Sequence, residues 1–162
     1  MSRPTSLSLQ NLLCLDLYAA SRAVIKIYHP LLSPLGLTYP QYLVMMALWE
    51  SGPLSVKELS ERLTLDSGTL SPLLKRLEAA GFVQRTRSKE DERGVVISLT
   101  KAGGALRAKA PEVFDAVACA LPVKGAELAA LQQTLRRLVQ ELGASTGIGE
   151  VPEADDKPGT AE

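Results

Sequence analysis

Cysteine is scarce in this chain. Two residues in 162, Cys14 and Cys119, are too few for the disulfide framework of a small secreted domain, and they read as free thiols or redox groups. No apolar run approaches the length needed to span a bilayer. The Leu-rich opening MSRPTSLSLQNLLCLDL does not read as a secretory or lipoprotein signal. Gln10, Asn11 and Asp16 interrupt it, and Leu13 is too bulky for a processing site. No internal repeat is visible. These absences point to a cytoplasmic chain with no membrane partner.

Net charge is also missing, with 18 basic residues against 18 acidic ones, but the balance is uneven along the chain. Residues 1–56 carry three basic and two acidic groups, residues 57–107 ten and seven, and residues 108–162 five and nine. The middle is the most basic part, so a nucleic-acid contact is to be sought there.

With 46% apolar residues, the chain can bury a core as one domain. Leu9, Leu12, Leu13, Leu17, Ala20, Val24, Ile27 and Leu31 follow a helical period of about six turns, which Pro30 and Pro34 are expected to close. TYPQ at 38–41 reads as a capping box opening a second helix, and Gly52-Pro53 stops that helix. SVKE at 55–58 is another box, starting a short helix to about Leu63. Asp66 as N-cap and Gly81 as C′ glycine bracket a helix with apolar Leu70, Leu73, Leu74 and Leu77. FVQRTR (82–87) and VVISL (95–99) are β-rich and flank the charged SKEDERG, which predicts a hairpin. Thr100 caps a further helix, broken around Pro111 and Pro122, and GAELAALQQTLRRLVQEL makes the last one.

The predicted fold is mainly α with a small β-hairpin wing: a winged helix-turn-helix that dimerises through its N- and C-terminal helices. Residues 1–37 and 100–143 form the dimerisation region, 38–99 the DNA-binding region, and 144–162 a disordered tail rich in Gly, Pro and acid. The terminal helices are too apolar to be covered within one chain. A twofold dimer covers them and sets two reading helices about one DNA turn apart.

The reading helix is expected to start with small, hydroxylic residues, Ser67, Gly68, Thr69 and Ser71. These let a helix end approach the major groove and offer hydroxyl and N–H groups to bases or phosphates. Lys75 and Arg76 suit phosphates, while Pro72 removes one backbone bond near the first turn. An ordinary surface helix also fits this stretch taken alone. In the hairpin, Arg87, Lys89 and Arg93 suit a minor groove, with Asp91 placed to hold the Arg93 guanidinium. A solvated turn of mixed charge fits that stretch alone as well. Helix and hairpin in this order are more specific than either separately.

The runs LTYPQYLVMMAL, LDSGTLSPLLKRLE and DERGVVISLT resemble the MarR family of winged-helix repressors. They are most similar to its organic-hydroperoxide-sensing OhrR branch, two-cysteine type, over about residues 9–142. The resemblance implies a homodimer that binds inverted-repeat double-stranded DNA and takes an organic hydroperoxide as its signal, with no cofactor and no metal. It also implies that Cys14 is the redox sensor, that Tyr28 and Tyr39 of the partner subunit donate hydrogen bonds to its sulfur, and that Cys119 is the resolving cysteine.

The chemistry is coherent with that assignment. A peroxide is attacked by a thiolate rather than a thiol, and a phenol O–H donated to sulfur favours the charged form. The product is a sulfenic acid, which a second thiol converts to a disulfide. Tyr18, one turn beyond Cys14, shares its helix face and borders the sensor pocket. Asp16, the nearest charge, has the wrong sign. Cys14 also reads as lying too deep in its helix to feel the helix dipole, so donors must come from elsewhere in the fold. Cys14 as core filler, the tyrosines as seam packing and Cys119 as mere packing are the plain readings of these residues. Two other functions stay open: a MarR-type repressor released by a small aromatic compound, and a thiol peroxidase. The chain lacks the α/β pattern of thioredoxin-like enzymes, and a DNA-reading module would be surplus to a peroxidase.

Overall fold

The computed structural model describes residues 8–87 and 94–146. Seven helices and three short strands follow one another there: α1 (Leu13–Leu32), α2 (Tyr39–Ser51), β1 (Leu54–Ser55), α3 (Val56–Leu63), α4 (Ser67–Ala79), β2 (Val83–Arg87), β3 (Val95–Leu99), α5 (Lys101–Ala105), α6 (Ala110–Ala120) and α7 (Gly125–Thr146). Three 3-10 segments, Leu9–Asn11, Ser33–Leu35 and Leu106–Lys109, join them. Among these residues no helix is long and apolar enough to cross a membrane.

The expected boundaries shift where local chemistry overrides periodicity. Leu9 does not begin α1. The Ser8 hydroxyl accepts from the Gln10 N–H, residues 9–11 form a 3-10 turn, and Leu12 is extended, so the helix opens only at Leu13. Pro30 does not close α1, which runs two residues further. So near a helix end a proline forfeits a single backbone bond. Closure comes from the 3-10 turn through Pro34 and from left-handed Gly36 at φ 70°. Pro111 does not break its helix either. It stands in the first turn of α6, where the missing N–H costs nothing, and the break falls upstream at Leu106–Lys109. Finally, α7 continues to Thr146, four residues beyond its expected end at Leu142.

Both capping boxes form. Gln41 Oε1 accepts the Thr38 N–H at 2.8 Å, and the Ser55 N–H is held by Glu58 at 2.7 Å while the Glu58 N–H donates to Ser55 Oγ. A third strand, β1, was not expected, since two residues carry no legible alternation. It pairs antiparallel with β3 (Leu54 to Ile97, Ser55 to Val96), giving the order β1-β3-β2.

The core is centred on α2, which buries residues on nearly all sides: Tyr42, Val44, Met45, Ala47, Leu48 and Trp49. Leu59 from α3, Leu70, Leu74 and Leu77 from α4, and Val83 and Ile97 from the sheet complete this side of the core. Leu32 of α1 with Val113 and Val117 of α6 extend the core to the other side. Trp49 donates its indole N–H to the Gly103 carbonyl at 2.9 Å, which satisfies the one polar atom of a buried aromatic.

The chain ends are different. Leu9, Leu12, Leu13, Leu15, Tyr18 and Ile25 are exposed on the first segment and α1, as are Leu131, Leu135, Val139 and Leu142 on α7. Leu32 is the single buried residue of α1. Large apolar side chains concentrated on two terminal helices leave a surface well beyond scattered exposed leucines.

Candidate nucleic-acid interface and cysteine sensor

A helix-turn-helix requires a tight corner between α3 and α4. Thr64 supplies it by adopting a left-handed conformation, φ 52°, rare for a residue with a branched Cβ. The Leu65 N–H reaches back to the Ser60 carbonyl at 3.0 Å, and Asp66 caps the next helix. Thr69 donates its N–H to Asp66 Oδ1 and its hydroxyl to Oδ2, each at 2.8 Å. Those bonds, the side-chain one first, hold the Asp66 carboxyl below the usual carboxylate range. Gly68 keeps the cap open, because a Cβ there would stand 3.0 Å from Asp66 Oδ1.

On α4 the expected division holds residue by residue. Leu70, Leu73, Leu74 and Leu77 are buried, while Ser67, Gly68, Thr69, Ser71, Pro72, Lys75 and Arg76 are exposed on the outer face. The Thr69 proton is committed to Asp66, so its hydroxyl is best able to accept. Arg87 is exposed at the far end of β2, opposite Val95 in the last strand pair before the connecting segment. Lys89, Asp91 and Arg93 lie outside the described residues.

Arg85 is a residue that sequence reasoning passed over. Its Nε lies 3.4 Å from Glu78 Oε2, an ion pair between β2 and α4. Nε and Nη2 are buried without a well-aligned hydrogen bond, so the contact is Coulombic rather than a bidentate fork. The signal was available: on a strand of period two, Arg85 shares the inward face of Val83.

The cysteines sit apart from this surface. Cys14 is exposed and is the second residue of α1. It therefore lies in the first turn, whose N–H groups lack intrahelical acceptors, and not deep in the helix as the sequence suggested. Nor does it border fully buried side chains, since this half of α1 is exposed apart from the half-buried Leu17. Tyr18 is exposed too. Its phenol oxygen accepts from Arg22 Nη1 at 3.2 Å, and the same guanidinium stands 5.4 Å from the ring centre. Cys119 is exposed near the end of α6.

Tyr28 and Tyr39, expected to act together, do meet: their ring centres are 4.8 Å apart. Tyr42, unforeseen, extends the cluster at 5.9 Å from Tyr28 and 6.0 Å from Trp49. Burial pushes the Tyr28 and Tyr39 phenols up from their ordinary range, and mutual repulsion of the phenolates adds to the shift at Tyr39. Both stay protonated and can donate. A groove of about 440 Å³ opens beside Tyr39, lined also by Ile25, His29, Ser33 and Leu37. Along α1, Cys14 and Tyr28 are 14 residues apart, a rise of about 21 Å. The tyrosines of a chain thus stand far from its own Cys14.

These features define a winged helix-turn-helix protein: a short helix, a capped second helix with a polar outer face, and a hairpin locked against it. The MarR family model matches residues 37–95. The organic hydroperoxide resistance transcriptional regulator of Bacillus subtilis is 46% identical over 136 residues, covering 84% of this chain and 92% of that protein. Among solved structures, reduced AbfR bound to DNA is 36% identical with a TM-score of 0.72, covering 85% of this chain and 94% of that one. The disulfide form of AbfR, a protein known from Staphylococcus epidermidis, is 39% identical with a TM-score of 0.59, covering 81% and 92%. The chain belongs to the MarR family and is a transcriptional regulator of the OhrR type, not an enzyme. That sets the thiol peroxidase aside.

Proposed function

We propose that this protein is a redox-sensing repressor. The reduced homodimer binds an inverted-repeat operator. An organic hydroperoxide oxidises Cys14 to a sulfenic acid, Cys119 condenses with it to a disulfide, and the operator is released. The observation that carries this reading is the separation on α1: an exposed thiol in the first helical turn, and a pair of protonated phenols about 21 Å along the same helix. Only a second subunit can bring the two together. The exposed apolar faces of α1 and α7 supply a reason for that subunit to dock.

In this reading residues 1–37 and 100–143 dimerise. Residues 38–99 contact DNA through Ser67, Gly68, Thr69, Ser71, Lys75 and Arg76, and through the hairpin with Arg87, Lys89, Asp91 and Arg93. Tyr28 and Tyr39 of the partner donate to the Cys14 sulfur, and Tyr18 borders it. Two relatives favour a redox reading in general terms: AbfR has been solved reduced on DNA and in a disulfide form, and the Bacillus subtilis relative is named for organic hydroperoxide resistance.

A second reading rests on the groove beside Tyr39, whose volume suits a small aromatic compound that would release DNA without touching sulfur. One titration separates them. Operator binding is followed by fluorescence anisotropy with cumene hydroperoxide or salicylate, on wild type and Cys14→Ser. Release of wild type alone, by the peroxide alone, is expected. Equal peroxide release of the serine variant would overturn the sensor assignment.

A further inference from the structure

Cys14, Tyr18, Arg22, Ile25 and His29 fall within an arc of about 80° on α1 at 3.6 residues per turn. They make one stripe, exposed from end to end and running into the groove beside Tyr39. Arg22 is held by Tyr18 at the middle of the stripe. A twofold axis through that midpoint would set Cys14 of each chain against the groove of the other. His29 is the single histidine of the sequence and one of the groove's lining residues. Among the described residues no Asp, Glu, Lys or Arg lines the groove beside it, and burial pushes the Tyr39 phenol up so that it keeps its proton.

Resting on the sensor reading above, we infer that His29 is the proton donor for peroxide cleavage by the Cys14 sulfur of the partner subunit. The Cys14 thiolate attacks the terminal oxygen of ROOH. The O–O bond breaks as an S–O bond forms, sulfur is oxidised to the sulfenic acid, and the peroxide is reduced. The departing alkoxide takes a ring proton from His29 and leaves as the alcohol, and His29 regains a proton from water. Imidazole suits this step because its ring N–H can be donated to a developing alkoxide and recovered from solvent. The tyrosines keep the separate task of donating hydrogen bonds to sulfur.

The test uses leaving-group chemistry. Cys14 oxidation is timed by thiol loss in full-length dimers, with cumene hydroperoxide, whose alkoxide needs a proton, and with peracetic acid, whose acetate does not. His29→Gln should slow the first reaction by about 100-fold and the second by less than about threefold, with reduced operator binding unchanged. Mixing His29→Gln with Cys14→Ser subunits should restore the fast rate in mixed dimers, because the reacting Cys14 then faces an intact His29. Equal slowing with both oxidants, no slowing, or no restoration would overturn the role of His29. If wild-type Cys14 reacts with neither oxidant, the sensor reading falls first and takes this one with it.

Discussion

Replacing Gly103 by alanine tests how α5 holds the hairpin. A Cβ there would lie 2.0 Å from the Phe82 carbonyl oxygen and 2.9 Å from its carbon, both backbone atoms that cannot swing aside. That carbonyl already accepts the Thr100 N–H at 3.0 Å, and Gly103 itself accepts from Trp49 at 2.9 Å and donates to Thr100 Oγ1 at 3.1 Å. Ordinary contact requires more than 1 Å of separation to be found between α5 and the start of β2. Overpacking of this kind costs about 1–3 kcal/mol. If α5 retreats, the buried Trp49 N–H loses its acceptor, which costs about 1–3 kcal/mol more. A loss of about 2–6 kcal/mol lowers the melting temperature by about 4–24 °C for a chain of this size. Gly104, next in line, meets nothing within 4 Å. Gly104→Ala should therefore be neutral or stabilising by about 0.5–1 kcal/mol, since alanine suits a helix better. Thermal unfolding of both variants, reduced and at one protein concentration, is the measurement. A Gly103→Ala protein melting within about 2 °C of wild type would refute the packing argument.

The carboxyls of Asp66 and Glu58 are both held below the usual carboxylate range by hydrogen bonds, from Thr69 and from Ser55 respectively. Their contribution is therefore complete above that range and fades as pH falls through it toward the lowered folded values. Urea midpoints of Asp66→Asn and Glu58→Gln should show a shallower loss in acid than wild type, and parallel curves would count against the caps. Phe at Tyr28 or Tyr39 should slow Cys14 oxidation while leaving reduced operator binding intact, as read by thiol loss and anisotropy; unchanged oxidation in both would leave the rings as packing. Arg93→Ala should cost about 1–3 kcal/mol of operator affinity if its guanidinium enters a minor groove, and an unchanged affinity at several salt concentrations would remove the hairpin from the reading. Cys14→Ser and Cys119→Ser, mixed and exposed to peroxide, should give a reducible dimer on a denaturing gel that neither makes alone. Fully oxidised wild type that runs as a monomer would place the disulfide within one chain.

Much of the winged helix-turn-helix was legible because its signals are local. The capping boxes at Thr38 and Ser55, the Asp66 cap and the leucine period of α4 each depend on residues within one or two turns. The order of short helix, capped helix and β-rich pair follows from them. Periodicity misplaced the ends of α1 and α7 and the break before α6, because a boundary is decided by a single capping hydroxyl or an extended residue such as Leu12. Tertiary structure alone decided what lies far apart in sequence. The two-residue strand β1 exists because β3 offers it a partner. Gly103 is obligatory because Phe82 passes over it, and Arg85 faces Glu78 because β2 packs on α4. The same holds for the proposed sensor: the sequence could nominate Cys14, Tyr28 and Tyr39, but packing brought the two rings into contact and kept their protons in place by burial. The rise of α1, about 1.5 Å per residue, then set the thiol beyond their reach within one chain, a separation that follows from helix geometry once the folded chain gives α1 its length.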